Sequence, residues 1–215
     1  MPAAPTLPAQ TYTLRLPFRA GMTWQTRLHL TLEGGETVTV TTNLNYIVRQ
    51  IDNQANALVE STNSGTTVNS GGESVVDERP QTKSAWFNPA GMLIRWQSTP
   101  EKPNEAALMA TLTQFVAPPQ AIAVGESWSA QYTAGSNGLS QAVRVRYVLN
   151  SVADGKANVG VDFAQSGENG MKATGTWSLD TQTGTPLRFE GSATNFLGQA
   201  GRKATIALQR IERVE

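Results

Sequence analysis

Gly21-Met22-Thr23-Trp24 is answered later in the chain by Gly125-Glu126-Ser127-Trp128, and two further phrases recur around them in the same order. Tyr46-Ile47-Val48, a polar turn and Ala57-Leu58-Val59-Glu60 return as Tyr147-Val148-Leu149, a turn and Val159-Gly160-Val161-Asp162. Trp86, a Pro/Gly turn and Ile94-Arg95-Trp96 return as Trp177, a Gly turn and Leu187-Arg188-Phe189. Three matches in one order point to a duplicated unit, and a repeat of this kind sets the architecture. The expected organisation is a tether over 1–10 and one β domain over 11–215. That domain comprises two repeat units, 11–98 and 119–215, joined by a helical linker at 99–118.

Within each unit the apolar residues alternate, the period of a half-buried strand. Tyr12, Leu14, Leu16 and Phe18 share one face; Trp24, Leu28, Leu30 and Leu32 share another. Gly34-Gly35 and Asp154-Gly155 are hairpin turns, because glycine accepts the positive φ that tight hairpins need. Asn88-Pro89-Ala90-Gly91 is a turn with proline early and glycine late. Residues 63–72, rich in Asn, Ser, Thr and Gly, read as a flexible loop. A last strand from Lys203 has no counterpart in the first unit. The expected fold is mainly β: ten to twelve antiparallel strands in two meanders, forming a strongly curved sheet or an open barrel.

One helix interrupts the pattern. Leu108, Met109, Leu112, Phe115 and Val116 form an apolar stripe at helical spacing. The expected helix covers about 104–116, capped by Asn104 and stopped by Pro118-Pro119. A single short helix is marginal alone and needs a sheet to bury its stripe. Five such side chains contribute on the order of 5–10 kcal/mol before chain entropy is subtracted.

The composition excludes several functions. Lys plus Arg and Asp plus Glu each total 17, giving zero formal charge, so nothing steers the whole chain to nucleic acid. There is no cysteine, hence no disulfide, thiolate nucleophile or cysteine zinc site. No apolar run approaches the ~20 residues of a transmembrane helix. The uncharged Met1-Pro2-Ala3-Ala4-Pro5 start has no basic or apolar leader region; it resembles a tether, with Met1 standing in place of a removed signal.

Reactive groups are sparse. His29 is the only histidine and lies on the face opposite Leu28 and Leu30, which marks a surface residue rather than a base. Gly125-Glu126-Ser127-Trp128-Ser129 lacks the final glycine of a serine elbow. Asp52-Asn53-Gln54-Ala55-Asn56 lacks the glycine and closing glutamate of a calcium loop. No phosphate loop is present. No catalytic, cofactor-binding or metal-ligating residue is therefore assigned, and no cofactor is expected. Arg95 and Arg188 alternate away from their apolar neighbours and should face outward. The aromatics at paired positions are the candidate ligand-pocket residues: Trp24, Tyr46, Trp86, Trp96, Trp128, Tyr147, Trp177 and Phe189. They serve either as core anchors of two β units or as the lining of an apolar concave site.

The stretch Pro119-Gln120-Ala121-Ile122-Ala123-Val124-Gly125-Glu126-Ser127-Trp128, followed by Trp177-Ser178-Leu179-Asp180-Thr181-Gln182-Thr183-Gly184, resembles an uncharacterised family of bacterial exported β-rich proteins. In these a "P…VGxxW" phrase opens a β unit and a "WxLDxxxG" hairpin closes it. The likeness is best over 119–190 and looser in the first unit, where Asn88 replaces the Asp. It implies an extracytoplasmic location (periplasmic, lipid-anchored or secreted) rather than a cytoplasmic one, and a fold akin to the lipoprotein-carrier half-barrel. It carries over no catalytic residue. The expected function is non-enzymatic binding of a lipid or another hydrophobic or amphipathic ligand in an apolar pocket. Two alternatives stay open: a structural or protein-interaction module with an envelope partner, and a hydrolase whose carboxylates meet only in the fold.

Overall fold

The computed structural model describes residues 10–211. All but the last residue of the expected tether lies outside them.

Most residues of the alternating segments are strand, but Leu14, Leu16 and Phe18 are not: of that first run only Thr11–Tyr12 pairs, and the rest is irregular chain. The first half supplies β1 (Thr11–Tyr12), β2 (Thr23–Glu33), β3 (Val38–Ile51), β4 (Ala57–Ser70), β5 (Glu73–Asp77), β6 (Gln81–Phe87) and β7 (Leu93–Trp96). Helix α1 (Pro103–Thr113) and β8 (Ile122–Ala123) lead to the second half: β9 (Ser127–Tyr132), β10 (Val143–Ala153), β11 (Lys156–Gln165), β12 (Lys172–Asp180), β13 (Pro186–Thr194) and β14 (Lys203–Ile211). One antiparallel sheet runs β7-β6-β4-β3-β2-β14-β13-β12-β11-β10-β9, with β5 added to the far part of β4; β1 and β8 form a separate pair. The final strand, without a counterpart in the first half, is the seam: β14 pairs with β2 over nine positions, from Lys203 opposite Glu33 to Ile211 opposite Gln25.

The sheet is not closed into a barrel, because β7 and β9 do not pair. Side chains bridge the two ends instead. Trp96 Nε1 donates to the Asn137 carbonyl at 2.9 Å, and Asn137 Nδ2 donates to the Leu93 carbonyl at 2.8 Å. Asn137 sits in the tight turn Ser136–Gly138 between β9 and β10. Laid flat, a path of eleven strands would put its ends about 48 Å apart.

The loop expected at 63–72 is instead the continuation of β4 and its hairpin into β5. Threonine suits the pleated backbone, and the polar side chains pair across strands rather than with water. Thr66 Oγ1 donates to Thr42 Oγ1 at 2.9 Å, and Asn45 Nδ2 donates to Ser64 Oγ at 3.3 Å. The helix also departs from expectation at both ends. It begins at Pro103, and Asn104 does not cap it; its side chain accepts from the Ser140 N–H and hydroxyl at 2.9 and 3.0 Å. It stops at Thr113, because Gln114 is extended, and carries Phe115 and Val116 on beyond its end. Pro118 biases Ala117 away from the helical region, and the carbonyl of Val116 has a better partner: Trp128 Nε1 donates to it at 2.9 Å.

That contact organises the core. Phe115 stands edge-on to Trp128, Tyr147 and Trp177, with centroids 6.1, 5.8 and 6.1 Å away. Trp128 stacks on Tyr147 at 5.2 Å and Trp177 tilts against Phe189 at 4.9 Å. From the helix, Ala107, Leu108 and Leu112 are buried in the same cluster. Buried positions of β9 to β14 alternate strictly, as in the burial of Trp128, Ala130 and Tyr132 along β9.

The segment 13–22 crosses one end of the sheet as a strap. Leu14 is buried beneath it. Gly184, at φ +70°, lets the β12–β13 turn approach so closely that a Cβ there would run into the Arg15 carbonyl.

Two stability measurements follow from this packing. Trp128→Ala should cost about 3–5 kcal/mol in urea unfolding, while half-buried Trp24→Ala should cost about 1–2 kcal/mol. Equal losses would contradict the asymmetric core. Gly184→Ala should cost about 1–3 kcal/mol and lower the melting temperature, through both the forced φ and displacement of the strap.

Candidate functional site

The eight aromatic candidates divide into four environments. Trp128, Tyr147, Trp177 and Phe189 are buried around Phe115. Trp24 and Tyr46 are half-buried and stack at 4.8 Å with their planes 6° apart. Trp96 packs half-buried against the core and ties the β7 edge to Asn137. Trp86 lies outside the core cluster, with the Arg95 guanidinium 5.1 Å over its ring and its Nε1 donating to Gln97 Oε1 at 2.9 Å.

Alternation explains the placement of Trp86. Trp86 pairs with Arg95, whereas Trp177 pairs with Phe189. Both hairpins carry an irregularity, between Trp86 and Phe87 in one and between Ser178 and Leu179 in the other. Counted from it, Ala85 and not Trp86 occupies the position of Trp177. One residue of offset reverses the face.

At the opening of each half the backbone bonding matches. Gly21 N donates to Val48 O at 2.8 Å and Val48 N to Met22 O at 2.9 Å; Gly125 N donates to Leu149 O at 2.7 Å and Leu149 N to Glu126 O at 3.0 Å. Both glycines take a left-handed φ, +80° and +90°. Trp24 stands opposite Tyr46, as Trp128 stands opposite Tyr147. The outcome differs in one respect. The Trp128–Tyr147 stack is covered by Phe115, and the Trp24–Tyr46 stack faces a cleft.

That cleft lies between the strap and the core side of the sheet. Leu16, Phe18 and Met22 of the strap form one wall; Trp24, Tyr46 and Leu208 form another; Phe115 and Trp177 line it from the core. Its space is about 590 Å³ when the open mouth is counted, but only about 60 Å³ is free interior, room for a few waters or one small ring. Sequence reading found Trp24, Tyr46 and Trp177 but missed the strap residues, whose alternation marks them only as a strand.

The polar residues of the lining are Thr26, Thr113, Gln114, Thr185, Arg188 and Arg210. Burial raises the Tyr46 phenol above its ordinary value, partly offset by the neighbouring Thr26 hydroxyl. Burial likewise pushes the Tyr132 and Tyr147 phenols far up, so both stay neutral at any working pH. The outer face is a polar ladder: Gln25 Nε2 donates to Asn45 Oδ1 at 2.9 Å, and His29 Nδ1 meets Thr41 Oγ1 at 2.9 Å. His29 is thus an exposed outer-face residue, and Arg95 and Arg188 also face outward. Arg188 is paired with Glu190. Among the described residues, no group of three or more His, Asp or Glu side chains is placed to hold a metal ion. No helix among them is long and apolar enough to cross a membrane.

No protein-family model matches this chain, and no curated protein matches it either. The site therefore rests on its own geometry.

The carboxylates with perturbed acidity are turn-formers. Asp52 is held below its ordinary value of 3.8 chiefly by the Asn56 side chain, and Asp180 chiefly by the Thr183 backbone N–H and then its hydroxyl. Asp52 Oδ1 accepts from Gln54 N at 2.9 Å and Asn56 N at 2.8 Å, so the segment likened to a calcium loop is a capped turn. Because folding lowers both values, their stabilisation is complete above the unfolded-chain value and is lost as pH falls through the lower folded one. Thermal stability should drop on the acid side of 3.8, and Asp52→Asn with Asp180→Asn should flatten that limb while leaving the neutral-pH shape of the curve unchanged.

Proposed function

We propose that this protein is a non-enzymatic, extracytoplasmic binding protein that holds the apolar part of a hydrophobic or amphipathic ligand in the cleft under the strap. The observation that carries it is the uncovered Trp24–Tyr46 stack, set into an apolar wall that continues the core. Stacked aromatic faces open to solvent cost free energy in the empty protein, and an apolar guest recovers it. The narrow interior limits the guest to a ring or a short chain while the strap holds its place. The extracytoplasmic location is supported by the "VGxxW" and "WxLDxxxG" phrases. The proposal includes that the halves are sister units, supported by the matching backbone bonds at Gly21/Val48 and Gly125/Leu149.

A second reading, a protein-interaction module of the envelope, is favoured by one different feature. Leu30, Val40, Val68 and Val75 stand in register across β2, β3, β4 and β5. Val75 at the end of this row is 63% exposed, and β5 is an edge strand. An apolar row ending on an open edge is the kind of surface that partners cover. Under this reading, a photoreactive residue at position 73 cross-links an envelope protein, and Val75→Asp abolishes that cross-link and leaves cleft binding intact.

Titration with toluene, a single ring that the narrow interior admits, followed by the NMR shifts of the protein's amide signals, tests the first reading. Saturable one-to-one binding is expected, weakened roughly tenfold by Trp24→Ala and unchanged by the outer-face His29→Ala. An unsaturable or absent response in the unaltered protein would overturn it.

A further inference from the structure

The cleft has a second property that its apolar walls do not explain. Trp177 is 2% exposed and lines the cleft, yet its indole Nε1–H has no hydrogen-bond partner. Thr26, 7% exposed and also lining the cleft, has its hydroxyl beside the Tyr46 phenol. Leaving a buried donor such as the Trp177 indole unpaired is expensive, and native interiors rarely do so without a reason. Both residues line the same small space.

The protein itself shows what satisfies such a site. In the other half, the Trp128–Tyr147 stack receives an apolar ring, Phe115, and the neighbouring indole N–H of Trp128 receives a carbonyl oxygen, that of Val116. Ring and carbonyl belong to adjacent residues of one extended segment. The Trp24–Tyr46 stack has no such guest, and the unpaired indole at its cleft belongs to Trp177 rather than to the stack itself. An indole N–H only donates, so its partner must be an acceptor, and a threonine hydroxyl tolerates either role.

We infer that the cleft selects ligands in which an apolar body, aromatic or short-chain, is joined to a carbonyl oxygen, with the apolar part against Trp24 and Tyr46 and the oxygen accepting from Trp177 Nε1. This rests on the binding function proposed above and names its ligand chemistry. It turns a greasy cleft into a selective one: a hydrocarbon of the same shape fills the space but leaves the donor unpaired. Sites built to hydrogen-bond one group reject analogues lacking it far more strongly than apolar pockets sort by size.

The test compares 4-phenylbutan-2-one with butylbenzene, which has the phenyl ring and no carbonyl. Two-dimensional NMR of the indole N–H signals serves as readout. The ketone should bind at least about tenfold tighter than the hydrocarbon and move the Trp177 indole proton downfield, while the hydrocarbon leaves that proton in place. Trp177→Phe, which keeps a ring but removes the donor, should erase the preference. Thr26→Val, nearly isosteric, provides a second variant should the first fold poorly, and is expected to reduce the preference. If both probes bind equally and the indole proton does not respond, the selectivity inference fails and the apolar-cleft function stands. If neither binds, the space holds only water, and both the inference and the function beneath it fail.

Discussion

The grip of the post-helical chain on the aromatic cluster is what the rest of the structure depends on. An open antiparallel sheet has one face to hide and two edges to manage. Here Phe115 enters among Trp128, Tyr147 and Trp177 while the Val116 carbonyl takes the Trp128 indole proton. The two contacts hold a short helix, weak by itself, across the core side of the second half. They also fix where the helix ends, because a carbonyl pledged to a side chain in an extended segment cannot belong to another helical turn. Everything packed under α1, from Leu108 to Leu139, inherits its place from that anchor.

The two halves therefore differ in burial although they share strand geometry. The second half alternates cleanly between buried and exposed, and the first is half-buried over most of β2, β3 and β4. Only one set of aromatics has an internal guest. In the first half the equivalent stack is left to a strap of irregular chain, and the result is a cleft instead of a core. This difference leaves a half-buried aromatic stack in a cleft that the unpaired indole of Trp177 also lines.

Much of this was legible from residue order. The period-two runs marked the strands, and the glycine-tryptophan phrases marked two points where the backbone bonding repeats, because a positive φ at Gly21 and Gly125 is a local requirement that sequence must meet. The stripe at Leu108 and Leu112 marked the helix. The polar stretch 63–72 was misread because Asn, Ser and Thr satisfy one another across strands as readily as they satisfy water, and composition does not distinguish the two. Trp86 was matched to Trp177 by identity, yet the hairpin irregularity shifts the count by one and turns it to the opposite face. The strap alternates at Leu14, Leu16 and Phe18 like a strand without being one, and the orphan indole leaves no motif; both depend on which distant segments meet.

The seam between β2 and β14 has a consequence for biogenesis. Residues 25–33 pair with residues 203–211, so β2 keeps one open edge until β14 has been made. Pairing at so wide a separation is slow, since so large a loop must close before any ladder bond rewards it. Until β14 arrives, the two blocks of strands are separate pieces with unsatisfied margins, exposed to wrong neighbours.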